Sequence, residues 1–274
     1  MEYIEKKRHE DAHALIEGFL KRHHDVYKAY QKDLYEYFRD ENVQGLATRR
    51  ALSEVLVDEQ NYRCCYCMRR VNTGHTIEHV IVNHPRDEED YNRYLGNESQ
   101  LDDADIMLSY SFVERQLPPP PYPHSVAYEN MLMSCDGHCC IGNRTSFTCN
   151  NYRGNRFVYP LPLMKNITNE VRYRKDGFVY WTNETDTKHP TIESLGLNYN
   201  LLKLIRRLWC KIATMGLDAA NCNRQSLIYE VLGDMVGEGA SDESMQSLFL
   251  FIENDGYWDL FIQFDYFNDV TKFE

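Results

Sequence analysis

The chain has 274 residues, of which 43% are hydrophobic and 26% charged, and a formal net charge of -12. That length and apolar content can bury one substantial core with an appended subdomain, which excludes a disordered tail or linker. The negative charge argues against a free-standing nucleic-acid binder, because phosphate affinity comes mainly from Lys and Arg displacing counterions.

Residues 1 to 60 read as an N-terminal helical segment, with Leu15, Ile16, Phe19, Leu20, Tyr27, Tyr30, Leu34 and Phe38 recurring near a helical period. A second helix carries Ala51 to Leu56 and runs into the first cysteines. From 61 to 160 the helical period gives way to turn residues, cysteines and asparagines. Within that stretch residues 84 to 124 read as a long polar loop, because the tetraproline at 118 to 121 fits neither a helix nor a central strand. Residues 161 to 274 begin with a hairpin, 171 to 181, whose alternating apolar residues flank an Asp176-Gly177 turn. Helices follow from Ile192 to Met215, Gln225 to Val236 and Glu243 to about Phe267. The fold class expected is α+β, mainly helical, with a small-element core embedded between the two helical regions.

No stretch approaches the roughly 18 to 20 uninterrupted apolar residues of a membrane helix, and Met1 to Lys7 lacks the apolar core of a signal peptide. The expectation is a cytoplasmic protein with no membrane partner. Nine cysteines in a reducing compartment do not suit a disulfide framework. They cluster as Cys64, Cys65, Cys67, then Cys135, Cys139, Cys140, Cys149, a pattern closer to metal ligation, while Cys210 and Cys222 stand apart as ordinary thiols. Charge is uneven as well. Between Asn143 and Lys175 seven basic residues face one acid, Glu170, whereas from Ile212 onward twelve acids face Arg224 and Lys272. This suits a basic working surface beside the cysteines and an acidic C-terminal region facing solvent or a partner.

Cys64 and Cys67 have the C-x-x-C spacing at which one tight turn supplies two corners of a zinc tetrahedron. Cys135, after the apolar run Met131 to Met133, and Cys149 supply a second pair, making a structural Zn2+ site of four thiolates. Cys139, Cys140 or His138 are alternatives for the fourth ligand, and Cys65 is read as a bystander inside the turn. His75, His84, His124 and the His23-His24 pair default to solvated or structural roles.

The knuckle Cys64-Cys65-Tyr66-Cys67, the Glu78-His79 pair, the segment Asn130 to Cys135 and the helix-opening Cys149-Asn150-Asn151-Tyr152-Arg153-Gly154 together resemble the zinc-containing HNH endonucleases. Gln60 before the knuckle, the hairpin at 171 to 181 and the segment at 195 to 207 further resemble one branch, the PtuB nucleases of Septu antiphage systems, also found with retrons. The likeness covers about residues 50 to 210. It implies a zinc-braced ββα-metal (His-Me finger) core, an ATPase partner of the PtuA type and, in a retron setting, a reverse transcriptase with its nucleic acid. DNA is the expected substrate and RNA the alternative.

Phosphodiester hydrolysis needs a base that activates water and a cation that neutralises charge on the phosphoryl and leaving oxygens. His79 suits the base, since an imidazole titrates near neutrality. By resemblance, Glu78 and Asn150 are the ligands of a catalytic Mg2+ or Mn2+, and Asn130 braces the loop after His79. Arg153 and Arg156, on the helix opened by Cys149, are placed to hold substrate phosphates. Two features depart from compact members of the family: thirteen residues separate Cys135 from Cys149, and the stretch from His79 to Asn130 is long. The competing readings are a zinc-stabilised protein-interaction adaptor and a redox or iron-sulfur protein.

Overall fold

The computed structural model describes residues 1–22, 35, 45–80, 126–141, 144–156, 158–159, 161–182, 189–237 and 256–274. The expected loop at 84 to 124, with His84, His124 and the tetraproline, lies outside these residues, as does the His23-His24 pair.

Helix α1 (His9–Arg22) turns Ala12, Ile16 and Phe19 inward at helical spacing and packs against helix α2 (Gly45–Glu59), whose Leu52, Val55 and Leu56 are buried. Residues 1–8 are not helical, contrary to the expectation of helix from the first residue. Lys6 gives the physical reason. Its buried ammonium donates to Glu59 Oε2 at 2.9 Å and to the Met131 carbonyl at 2.8 Å, and it lies 4.0 Å from the Tyr128 ring centre. An extended segment satisfies this charge against α2 and a distant strand, where a local helix would not.

After α2 the chain reverses through left-handed residues Asn61 (φ 49°) and Tyr62 (φ 59°), which bring Cys64 under the end of the helix. Strand β1 (Thr76–His79) pairs antiparallel with β2 (Met131–Ser134), with Ile77 opposite Met133 and His79 opposite Met131. Gln60 closes the free side of β2: its side-chain oxygen accepts from Met133 N–H at 2.6 Å and its amide donates to Met133 C=O at 2.9 Å. A glutamine immediately before the knuckle thus does the work of a third strand. Replacing Gln60 by Ala strands the Met133 N–H, while the Met133 carbonyl keeps the Cys65 N–H at 3.0 Å, and is expected to lower stability by about 1 to 2 kcal/mol, measured as a shift in the urea midpoint at constant slope.

Strands β3 (His138–Ile141) and β4 (Arg144–Phe147) form a second antiparallel hairpin, which ends against helix α3 (Cys149–Arg153). Gly137 makes this possible. It sits at φ 66°, and a Cβ there would come within 1.9 Å of the Thr148 carbonyl oxygen. Helix α4 (Ile167–Glu170) leads into the third hairpin, β5 (Val171–Tyr173) and β6 (Val179–Trp181), around the Asp176-Gly177 turn as the sequence predicts.

The single helix expected from Ile192 to Met215 is two, α5 (Pro190–Ser194) and α6 (Asn200–Met215). Gly196 at φ 61° breaks the path, and Leu197 N–H returns to the Ile192 carbonyl at 3.1 Å. Along α6, Leu201, Leu202, Ile205, Leu208, Trp209 and Ile212 are buried. Arg206 is buried among them because it donates to the carbonyls of Gly177 (3.0 Å) and Leu197 (2.8 Å). Helix α7 (Arg224–Gly237) matches its prediction closely; of the helix expected at 243 to 267, the described part is α8 (Gly256–Phe261) continuing as a 3-10 turn, Ile262–Phe267.

Among the described residues the result is a mixture of helices with three small two-stranded sheets, compatible with the expected α+β class. One hydrophobic cluster joins all three sequence regions, from Ile16 and Leu56 through Tyr66 and Met131 to Leu202 and Phe264. The described part of the acidic C-terminal region does not simply face solvent. Asp265 pairs with both Arg63 and Arg70, and Gln263 accepts from Arg69 at 2.7 Å, so the acidic turn clasps the arginines that flank the knuckle. Among the described residues no helix is long and apolar enough to cross a membrane.

Candidate metal centre and the hairpin beside it

Three elements deliver four sulfurs to a common point. The turn after α2 supplies Cys64 and Cys67, the end of β2 supplies Cys135, and the first residue of α3 supplies Cys149. All four are buried, and their sulfurs lie within 4.8 Å of one another. Cys64 Sγ is 4.0 Å from Cys149 Sγ, and Cys67 Sγ is 3.6 Å from Cys135 Sγ. Sulfurs held about 2.3 Å from a tetrahedral ion sit about 3.8 Å apart, so these separations suit a metal ion such as zinc. They are far too long for a disulfide, whose bond is about 2.05 Å.

The backbone is arranged around the four thiols. Met68, following Cys67, is left-handed at φ 66°, which lets Cys64 N–H reach the Arg69 carbonyl at 2.7 Å and closes the knuckle. Cys149 itself has φ 52°, an uncommon conformation for a residue with a side chain, held by its N–H to the Leu195 carbonyl at 2.8 Å. Burial pushes the Cys149 thiol well above its ordinary range. Cys64 goes the other way: burial would raise it, but hydrogen bonds from Cys135, Cys149, Cys65 and Cys67 bring it well below. A divalent cation would let all four ionise together.

Among the described residues, Cys149 is the one whose sulfur joins those of Cys64, Cys67 and Cys135. After Cys135 the chain forms β3, which carries Cys139 and Cys140, and β4, and returns to the sulfurs at Cys149. His138 is exposed and packs against Phe147, with ring centres 4.9 Å apart. Cys65 is buried but outside the group of four, with its N–H on the Met133 carbonyl at 3.0 Å. Cys210 is a buried thiol, as expected, and Cys222 is half-buried.

Beside this centre the structure places Glu78, His79, Asn130 and Arg153 in unexpected surroundings. Glu78 is 2% exposed, and its Oε1 accepts from the Tyr66 hydroxyl at 2.9 Å and from the Arg153 guanidinium. Burial pushes its carboxyl up, and Arg153 and Tyr66 pull it part of the way back. Arg153, 1% exposed, also donates to the carbonyls of His79 (2.8 Å) and Val80 (2.6 Å). The expectation that Arg153 holds substrate phosphate is therefore corrected. Its fork is spent inside the protein, joining α3 to the end of β1. Glu78 likewise presents no open carboxylate to a catalytic cation here; its partner is an arginine. The sequence held a signal for this pairing in the opposite charges of two residues that occupy neighbouring motifs, but nothing local gave their distance.

His79 is 8% exposed, with the Tyr35 ring edge-on at 4.5 Å between centres. Asn130 is fully buried. Its carbonyl accepts from Val80 N–H at 3.0 Å, so it does meet the residue after His79, through its backbone. Asn150 sits half-buried in the first turn of α3 and is not the residue that caps it, which is Thr148. Arg156 lies three residues beyond the end of α3 rather than on it, 4.5 Å over the exposed Tyr152 ring, with its Nε donating to the Arg153 carbonyl at 3.0 Å. Sequence reading passed over Tyr66 as the partner of Glu78, and also over a second group of metal-ligating type, His9, His13 and Glu129. No family model, curated protein or solved structure matches the chain.

Proposed function

We propose that this protein is an HNH-type endonuclease, hydrolysing phosphodiester bonds of DNA, or alternatively RNA, and braced by a structural zinc on Cys64, Cys67, Cys135 and Cys149. The observation that carries the reading is the order and contact of three elements. The antiparallel strand pair β1–β2, with His79 at the end of β1, is followed after β3 and β4 by the short helix α3, and the pair and the helix are tied to one four-sulfur group and to each other by Arg153.

In this reading His79 takes a proton from water, the hydroxide attacks phosphorus, and the bond to the 3' oxygen breaks, that oxygen taking a proton from solvent, to leave 3'-hydroxyl and 5'-phosphate ends. Arg156 stacked on Tyr152 offers a cation and an aromatic face to the nucleic-acid strand. Asn130 and Arg153 act as positioning residues, since Arg153 donates to the carbonyls of His79 and Val80 and the Asn130 carbonyl accepts from Val80 N–H. Mg2+ or Mn2+ would supply charge neutralisation. Glu78, enclosed by Arg153 and Tyr66, does not fit an open site for it, so no step is routed through that ion. Asn150 is the oxygen donor of the expected pair that remains partly accessible. A defence role with a PtuA-like ATPase, or with a retron reverse transcriptase, belongs to the same proposal and rests on the resemblance; the net charge of -12 suits a nuclease delivered to nucleic acid by another subunit.

The burial of Glu78, His79 and Arg153 favours a second reading, a metal-stabilised adaptor that docks proteins without catalysis. One comparison separates the two. Plasmid nicking and RNA degradation are measured with Mg2+, with and without the ATPase subunit, for the native protein and His79→Ala. Loss of the general base is expected to slow cleavage by about 100-fold or more without unfolding the protein. Equal cleavage by both proteins, or none by the native protein with its partner and either substrate, favours the adaptor.

A further inference from the structure

We infer that His9, His13 and Glu129 form a second metal site, one that takes a divalent transition-metal ion of the zinc class with its remaining coordination open to solvent. The inference is independent of the nuclease reading and of the four-cysteine group.

His9 and His13 are four residues apart on α1 and so share one face of the helix. Glu129 comes from the 3-10 turn Tyr128–Asn130 that leads into β2, more than a hundred residues away in the chain. Its Oε1 lies 3.1 Å from His9 Nδ1 and 2.8 Å from His13 Nε2, and the three ligand atoms are all within 4.8 Å of one another. Ligands bonded to zinc at about 2.0 to 2.2 Å lie roughly 3.3 to 3.5 Å apart, so the three atoms need only small shifts to surround one ion. The rings are also held in place. Tyr128 packs edge-on against both, with centres at 5.3 Å from His9 and 6.1 Å from His13.

Charge and exposure suit the same ion. Glu129 Oε1 is the one carboxylate oxygen that both imidazoles meet. The Glu129 side chain is 8% exposed and that of His13 21%, whereas His9 is 46% exposed, which leaves one side of the site facing water. Two imidazoles select against Mg2+ and Ca2+, which prefer oxygen, and two imidazoles with one carboxylate form a donor set that zinc accepts with an open fourth position. An occupied site would pin α1 to the turn before β2, two residues from Met131.

The test is a zinc titration of the full chain against a competing chelator, with Co2+ as a coloured substitute. Thiolate-to-cobalt charge-transfer bands report the cysteine group, and a thiolate-free site lacks them. The native protein is expected to bind a second equivalent without the sulfur signature. His13→Gln, and separately His9→Gln, should weaken that equivalent by more than the roughly 100-fold that loss of an outer partner costs. The cysteine-held ion and its cobalt spectrum should stay unchanged, which also shows that the variants fold. Uptake only with the sulfur signature overturns the inference, and so does a second equivalent that both glutamine variants retain at native affinity.

Discussion

Replacing Cys64 or Cys149 by serine, or removing the metal with a strong chelator, is expected to unfold the centre of the molecule. The four sulfurs join the turn after α2, the end of β2 and the start of α3, elements of 4 or 5 residues in the last two cases, which bury too little surface to persist alone. Structural zinc contributes an apparent 10 to 16 kcal/mol or so in small domains at neutral pH, more than the roughly 5 to 15 kcal/mol that keeps a typical protein folded. The check is metal content by elemental analysis alongside circular dichroism: the serine variants should lose one thiolate-held ion per chain and their cooperative thermal transition. Affinity should also fall with pH, because protons compete with the ion for the thiolates. Retention of the native melting curve after complete removal of metal would show that the four thiols are only a buried cluster.

The second large effect is expected at Arg153. Its guanidinium satisfies the Glu78 carboxylate and the carbonyls of His79 and Val80 in a site that is 1% exposed. Arg153→Met leaves a buried carboxylate without its cation and should cost about 3 to 5 kcal/mol. Glu78→Gln restores neutrality in that background, so the double variant should recover a good part of the loss. Coupling of this kind, read from denaturant midpoints of the two single variants and the pair, separates a strut from a substrate-binding arginine. If Arg153 served phosphate instead, its loss would leave stability near native and weaken nucleic-acid binding alone. Under the nuclease reading, the strut also fixes the backbone of His79, so Arg153→Met should reduce cleavage even where the protein remains folded.

How much of this was legible beforehand varies by residue. The knuckle was readable because Cys64 and Cys67 are three apart and such spacing nearly dictates the geometry of a chelating turn. The hairpin at 171 to 181 was readable for a similar reason, since an Asp-Gly turn between alternating apolar residues leaves few other options. The helix from 192 to 215 was misread as continuous. Its apolar period persists through the interruption, and only Gly196 marks the break. The fourth sulfur stayed open among Cys139, Cys140 and Cys149 because the choice depends on whether the intervening residues pair with each other. They do, as β3 and β4, and that places Cys149 beside the other three.

Sequence alone therefore determined local things: which segments turn, which are amphipathic, and which residue types can bind metal. What a charged side chain does was left to the tertiary structure. Arg153, Glu78 and Lys6 look like surface charges in the sequence, yet all three are buried against partners 53 to 125 residues away. The same holds for Glu129, which meets His9 and His13 across more than a hundred residues. A charge can be buried only where its partner also arrives, and arrival is fixed by packing of the whole core, which no local spacing encodes.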